Sequence, residues 1–122
     1  MKAQKIGNVT VADLLRMYSA AAVAHNEATV QGDHRTANKQ HDIVATVYRE
    51  LRARGPEAQR SLLGLLDHPS EAVRGWAAAH ALEFAPEDGK PVLEAIAAGA
   101  GIWAFTAGVT LEEWKKGVLR FP

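Results

Sequence analysis

The stretch Leu62–Leu82, LLGLLDHPSEAVRGWAAAHAL, constrains this chain more than any other. Leucines gather at Leu62, Leu63, Leu65 and Leu66, and the turn Asp67-His68-Pro69-Ser70 follows. A second run then opens with Val73-Arg74 and continues through alanines. Apolar residues at helical spacing on both sides of a short turn predict two helices folded back on one another. Pro69 cannot extend the leucine helix, and Ser70 is placed to cap the next one. The alanines allow a neighbouring helix to come close, as ridges pack into grooves. A chain committed to such a hairpin is a poor candidate for most enzyme scaffolds.

The same grammar recurs on either side. Thr10 with Asp13 reads as a capping pair, and Leu14, Leu15, Tyr18, Ala22 and Ala28 mark one face of a helix from Val11 to about Val30. Gly32-Asp33 ends it and starts the next, His34–Arg54, with Ala37, Val44, Val47, Tyr48 and Leu51 inward. Gly55-Pro56 stops that helix and opens a third, Pro56–Leu66. The fourth is expected over Glu71–Phe84 and the fifth over Lys90–Ala98. The stretch Gly99–Gly108 shows no clear period and is expected to be irregular. Thr110 and Glu113 read as a capping box for a short helix Leu111–Lys116 closed by Gly117. No sustained alternation predicts a strand. The expected architecture is therefore all-α, with five to six helices and a C-terminal capping segment.

The 122 residues suit one domain, 1–122, with residues 1–9 as a flexible lead-in. There is no cysteine, which excludes disulfides and thiolate metal sites. The start, MKAQKIGNVT, lacks the apolar stretch of a signal peptide. No run of about 18 apolar residues offers a membrane span. The expected location is the cytoplasm. Net charge is zero, which disfavours strong nonspecific binding to nucleic acid. Residues 1–60 carry nine basic and six acidic side chains, and residues 61–122 carry five and eight, a weak dipole able to orient a partner or a second copy.

Leu62–Leu82 resembles a HEAT or armadillo-like helical hairpin. The matching positions are the leucines Leu62, Leu63, Leu65 and Leu66, then Asp67, Pro69, Val73-Arg74 and Ala77-Ala78. The resemblance implies that Arg74 pairs with a carboxylate at the turn, Asp67 or Glu71. Bulky Trp76 departs from the pattern, and Leu82 falls one residue late. Across nearly its whole length the chain is similar to a family of small bacterial HEAT/armadillo-like domains of unknown function. The features are Ala37-Asn38-Lys39, Leu51–Gly55, Val73–Ala78, Ala104–Ala107 and Thr110–Gly117. A solenoid needs about three stacked units, and room for five to six helices predicts a short, closed, right-handed arrangement; the family, having no assigned function, supplies no catalytic residues to carry over.

The five histidines are the first candidates for chemistry. His34, Asn38 and His41 share one helix face beside Asp42, a thin set for a metal; a polar solvent face is the expectation. His25 lies near the buried stripe of the first helix. His80 follows Trp76 by one turn and is expected to stack on it, while His68 is expected exposed in the turn. Gly99-x-Gly101 is no phosphate cradle, since no Gly-Lys-Ser/Thr follows. No catalytic, cofactor or metal residues are assigned.

The leading expectation is a non-enzymatic protein-binding domain with an unidentified protein partner. One version is an antidote or regulatory partner of another protein, and a homo-oligomer is a second. Its candidate contact residues are Arg74, Trp76, His80 and Trp103, because tryptophan and arginine anchor interfaces. Trp103 and Phe105 are expected to staple the tail to the helices, and Trp114 is expected in the core. The alternatives are nucleic-acid binding through Arg35, Lys39, Arg49, Arg52, Arg54 and Arg60, and an uncharacterised enzyme.

Overall fold

The computed structural model describes residues 3–122. Its ordered elements are six α-helices and two 3₁₀ segments, with no strand among the described residues. The α-helices are α1 (Val11–Gln31), α2 (His34–Ala53), α3 (Pro56–Arg60), α4 (Glu71–Ala81), α5 (Pro86–Ala97) and α6 (Ile102–Lys115). The fold is all-α, as the patterning requires. None of these helices is long and apolar enough to cross a membrane. By contact the residues fall into two compact units, one ending at Ser61 and including Pro122, the other Leu62–Phe121.

In the first unit α1 and α2 form a long hairpin. Thr10 Oγ1 accepts from the Asp13 amide at 3.1 Å, so the expected cap starts α1. Gly32 ends it at φ 74°, a left-handed conformation that glycine adopts without steric cost. Asp33 then caps α2 by accepting from the Thr36 amide at 3.1 Å. That bond holds the Asp33 carboxyl below its ordinary range. Leu14, Tyr18, Val44, Val47, Tyr48 and Leu51 are fully buried.

The expected flexible lead-in is partly structured, and only Met1 and Lys2 of it lie outside the described residues. Ala3–Asn8 forms a 3₁₀ segment with Ile6 buried. Arg54 Nη2 donates to the Ile6 and Gly7 carbonyls at 3.0 and 3.3 Å, while its Nε holds Glu50 Oε2 at 2.8 Å. A charged donor from the end of α2 thus satisfies carbonyls that sequence alone leaves unpaired.

The first unit ends at Ser61 and the second begins at Leu62, inside a 3₁₀ segment. The third helix does not run to Leu66: α3 ends at Arg60, and Ser61–Asp67 continues as a 3₁₀ segment around Gly64. Leu62 is buried, while Leu65 and Leu66 are half-buried. Glycine near the centre weakens the α-helical alternative by about 1 kcal/mol. After the turn, α4 buries Val73, Ala77, Ala78, His80 and Ala81. Ser70 sits at its N-cap without a capping side-chain bond.

α5 starts at Pro86, earlier than the expected Lys90, and carries Gly89 and Pro91 inside it. A Cβ on Gly89 would lie 2.5 Å from the Ala78 carbonyl oxygen, so glycine is what lets α5 reach α4. α6 corrects the expected irregular tail. It spans Ile102–Lys115 without a break, so Thr110 is not a cap. The Thr110 hydroxyl instead donates to the Thr106 carbonyl at 3.0 Å. Gly101, at φ 92°, is the residue that turns the chain into α6. Leu82, Leu93, Ile96, Ala107 and Leu111 form the core of this unit, with Trp103, Trp114, Leu119 and Phe121 packed at its margin.

Candidate interaction surface

The turn before α4 is held by Arg74. Its Nη1 donates to the His68 and Pro69 carbonyls at 2.8 and 3.0 Å. The guanidinium therefore braces the turn through backbone oxygens and not through the expected carboxylate. His68 is half-buried and not exposed: its Nδ1 accepts from the Ser70 amide at 3.0 Å. That bond satisfies the N–H of the N-cap residue itself, while the Ser70 side chain caps no amide of α4.

One turn further along α4, Trp76 and His80 meet as expected, with ring centroids 5.8 Å apart and planes tilted by 41°. Trp76 is half-buried and His80 is buried. The four named contact residues therefore do not share one exposed face. Arg74 alone among them reaches an open groove, of about 320 Å³, walled by Leu66, Glu71, Arg74, Pro91, Val92 and Ile96. Trp103 packs against the core of its unit.

The basic end of α2 is largely engaged within the chain. Arg52 donates to the Pro122 carbonyl and stacks over the Tyr48 ring at 5.3 Å. Arg54 ties down the N-terminal segment, as above. Arg35, Lys39, Arg49 and Arg60 are exposed.

His34, Asn38 and His41 are all exposed on α2. Among the described residues no group of three or more His, Asp or Glu is placed to hold a metal ion. His25 on α1 faces His41 on α2 with ring centroids 6.2 Å apart. Burial lowers the His25 pKa from its ordinary value, and the neighbouring His41 lowers it further.

The most conspicuous surface feature is one the sequence did not mark. α6 is apolar on both sides. Ala107 and Leu111 face inward, with Trp103 and Trp114 beside them. On the opposite side Ile102, Phe105 and Val109 are 56%, 73% and 41% exposed. Their spacing of three and four residues places them in one stripe along the helix. Phe105 is thus not a staple; it points to solvent while Trp103 packs. An irregular segment carries no helical phase, so the stripe cannot be found until the segment is known to be a helix.

The chain belongs to the family described as "Domain of unknown function (DUF2019)", whose model matches residues 12–114. Among solved structures it is similar to the protein RPA1889 from Rhodopseudomonas palustris CGA009. The two share 26% identity and a TM-score of 0.89 over 96% of this chain and 98% of that one. Comparison with curated proteins finds no match.

Proposed function

We propose that this member of the DUF2019 family is a non-enzymatic protein-binding domain of HEAT/armadillo-like character, acting in the cytoplasm. The observation that carries the proposal is the exposed stripe Ile102, Phe105 and Val109 on α6. Contiguous exposed apolar surface is a common mark of an interaction site, and aromatic anchors dominate the energy of such sites. The Arg74-braced hairpin supports the HEAT-like reading, because it supplies a rigid turn beside an open groove. An antidote or regulatory role toward another protein fits this surface. Binding of nucleic acid through α2 is the weaker reading, since Arg52 and Arg54 have partners within the chain.

The test compares immobilised wild type with Phe105→Glu. Wild type should retain a protein from a native lysate that Phe105→Glu releases, with both variants melting alike. Retention that is indifferent to Phe105→Glu would sink the reading. A gel shift with a steep salt dependence would favour the nucleic-acid alternative.

A further inference from the structure

We infer that the groove beside the Arg74-braced turn binds a free α-amino acid with a branched aliphatic side chain, held as its zwitterion. The groove lies within the second unit, between the 3₁₀ segment, α4 and α5. It shares no residue with the α6 stripe, so it stands or falls apart from the protein-binding reading. Its volume of about 320 Å³ is at the small end of ligand pockets, which span roughly 300–1,000 Å³. Leu66, Pro91, Val92, Ala95 and Ile96 make the wall apolar, and Glu71 and Arg74 are its two charged residues. Asp67, Lys90 and Glu94 neighbour wall residues in sequence but do not line the groove.

The two charges identify the ligand. Arg74 Nη1 spends both its N–H groups on the His68 and Pro69 carbonyls, which fixes the guanidinium at the turn. Among the described residues, Arg74 Nε and Nη2 and the Glu71 carboxylate have no hydrogen-bond or ion-pair partner. The two residues stand three apart on α4, a spacing that holds Cβ atoms about 5–6 Å from each other. They do not pair with one another because the turn carbonyls draw the guanidinium away. A carboxylate and the unused edge of a guanidinium are thus left side by side on an apolar wall.

A simple carboxylate would satisfy Arg74 and be repelled by Glu71, and a simple amine would do the reverse. An α-amino acid carries both charges on one carbon. Its carboxylate accepts from Nε and Nη2, the planar fork that suits two carboxylate oxygens. Its ammonium donates to Glu71. Its side chain then lies against Leu66 and Val92, which are half-buried and still expose apolar surface, over the buried Ile96. Glu71 is exposed and the groove is open, so both charges stay partly hydrated and the dissociation constant is about 1 mM.

Titrating the intact chain with L-leucine to about 20 mM, well past the millimolar range, tests this by methyl NMR. The methyl signals of Leu66, Val92 and Ile96 should shift together and saturate. L-leucinamide, which lacks the carboxylate, and isocaproate, which lacks the ammonium, should each bind about fivefold more weakly, the upper scale of an exposed ion pair. L-alanine, three carbons shorter, should bind about tenfold more weakly, since an open groove realises only part of the transfer free energy of those carbons. Glu71→Gln should weaken L-leucine about fivefold, leave isocaproate no weaker, and melt like wild type. A merely structural effect would weaken both ligands alike. No saturable shift at the three methyls, equal binding of L-leucine, L-leucinamide and isocaproate, or a Glu71→Gln variant that binds L-leucine as wild type does, overturns the inference.

Discussion

Gly89→Ala is a sharp test of how the second unit is packed. The added Cβ would sit 2.5 Å from the Ala78 carbonyl oxygen, 3.0 Å from Ala81 Cβ and 3.4 Å from the Leu82 nitrogen. Two of those three atoms belong to backbone, so no rotamer change relieves the clash. α5 must move away from α4 instead. Overpacking of this kind costs about 1–3 kcal/mol, and with a backbone atom in the way the upper part of that range applies. Alanine returns about 0.8–1 kcal/mol of helix propensity. The net expectation is a loss of about 1–2 kcal/mol. Gly75→Ala is the matched control inside α4. Its Cβ would meet only Ile96 Cδ1 at 3.7 Å, an ordinary contact. That change should stabilise by about 0.5–1 kcal/mol through propensity alone. Urea midpoints of the two variants should therefore move in opposite directions from wild type. In thermal melts each kcal/mol corresponds to about 3–5 °C at this size. If Gly89→Ala is as stable as Gly75→Ala, the close approach of α4 and α5 does not depend on that glycine.

Three further outcomes are expected. Ala77→Leu should lose about 1–3 kcal/mol in chemical denaturation, because Ala77 is fully buried; coincident midpoints would refute the packing. His25 has a lowered folded-state pKa, so below the ordinary value near 6.5 the unfolded chain takes up the proton first. Stability should hold above that pH, decline as pH falls through it toward the lowered pKa, and decline less in His25→Gln; parallel pH profiles for the two proteins would contradict this. Arg54→Ala should cost about 1.5–3 kcal/mol, the scale of hydrogen bonds to a charged donor. It should also raise amide exchange at Val9, whose N–H donates to the Ile6 carbonyl at 3.1 Å; unchanged exchange there would show that Arg54 does not hold the segment.

Local chemistry alone determined the all-α class and the long hairpin. Thr10, Gly32 and Asp33 are caps whose geometry depends only on residues within a turn of them, and the structure realises each. The stripe from Val44 to Leu51 is equally legible, since a helix half exposed to water must sort its residues by face. The tertiary structure decided where that sorting fails. Gly89 and Pro91 weaken a helix locally, and only the demand for close approach to Ala78 explains glycine inside α5. α6 hid because it is apolar on both sides, so no period distinguishes it from an irregular run. The core claims Ala107 and Leu111 and leaves Phe105 outside. That choice is made by which side α4 and α5 cover, a fact about neighbours that no single helix's sequence contains.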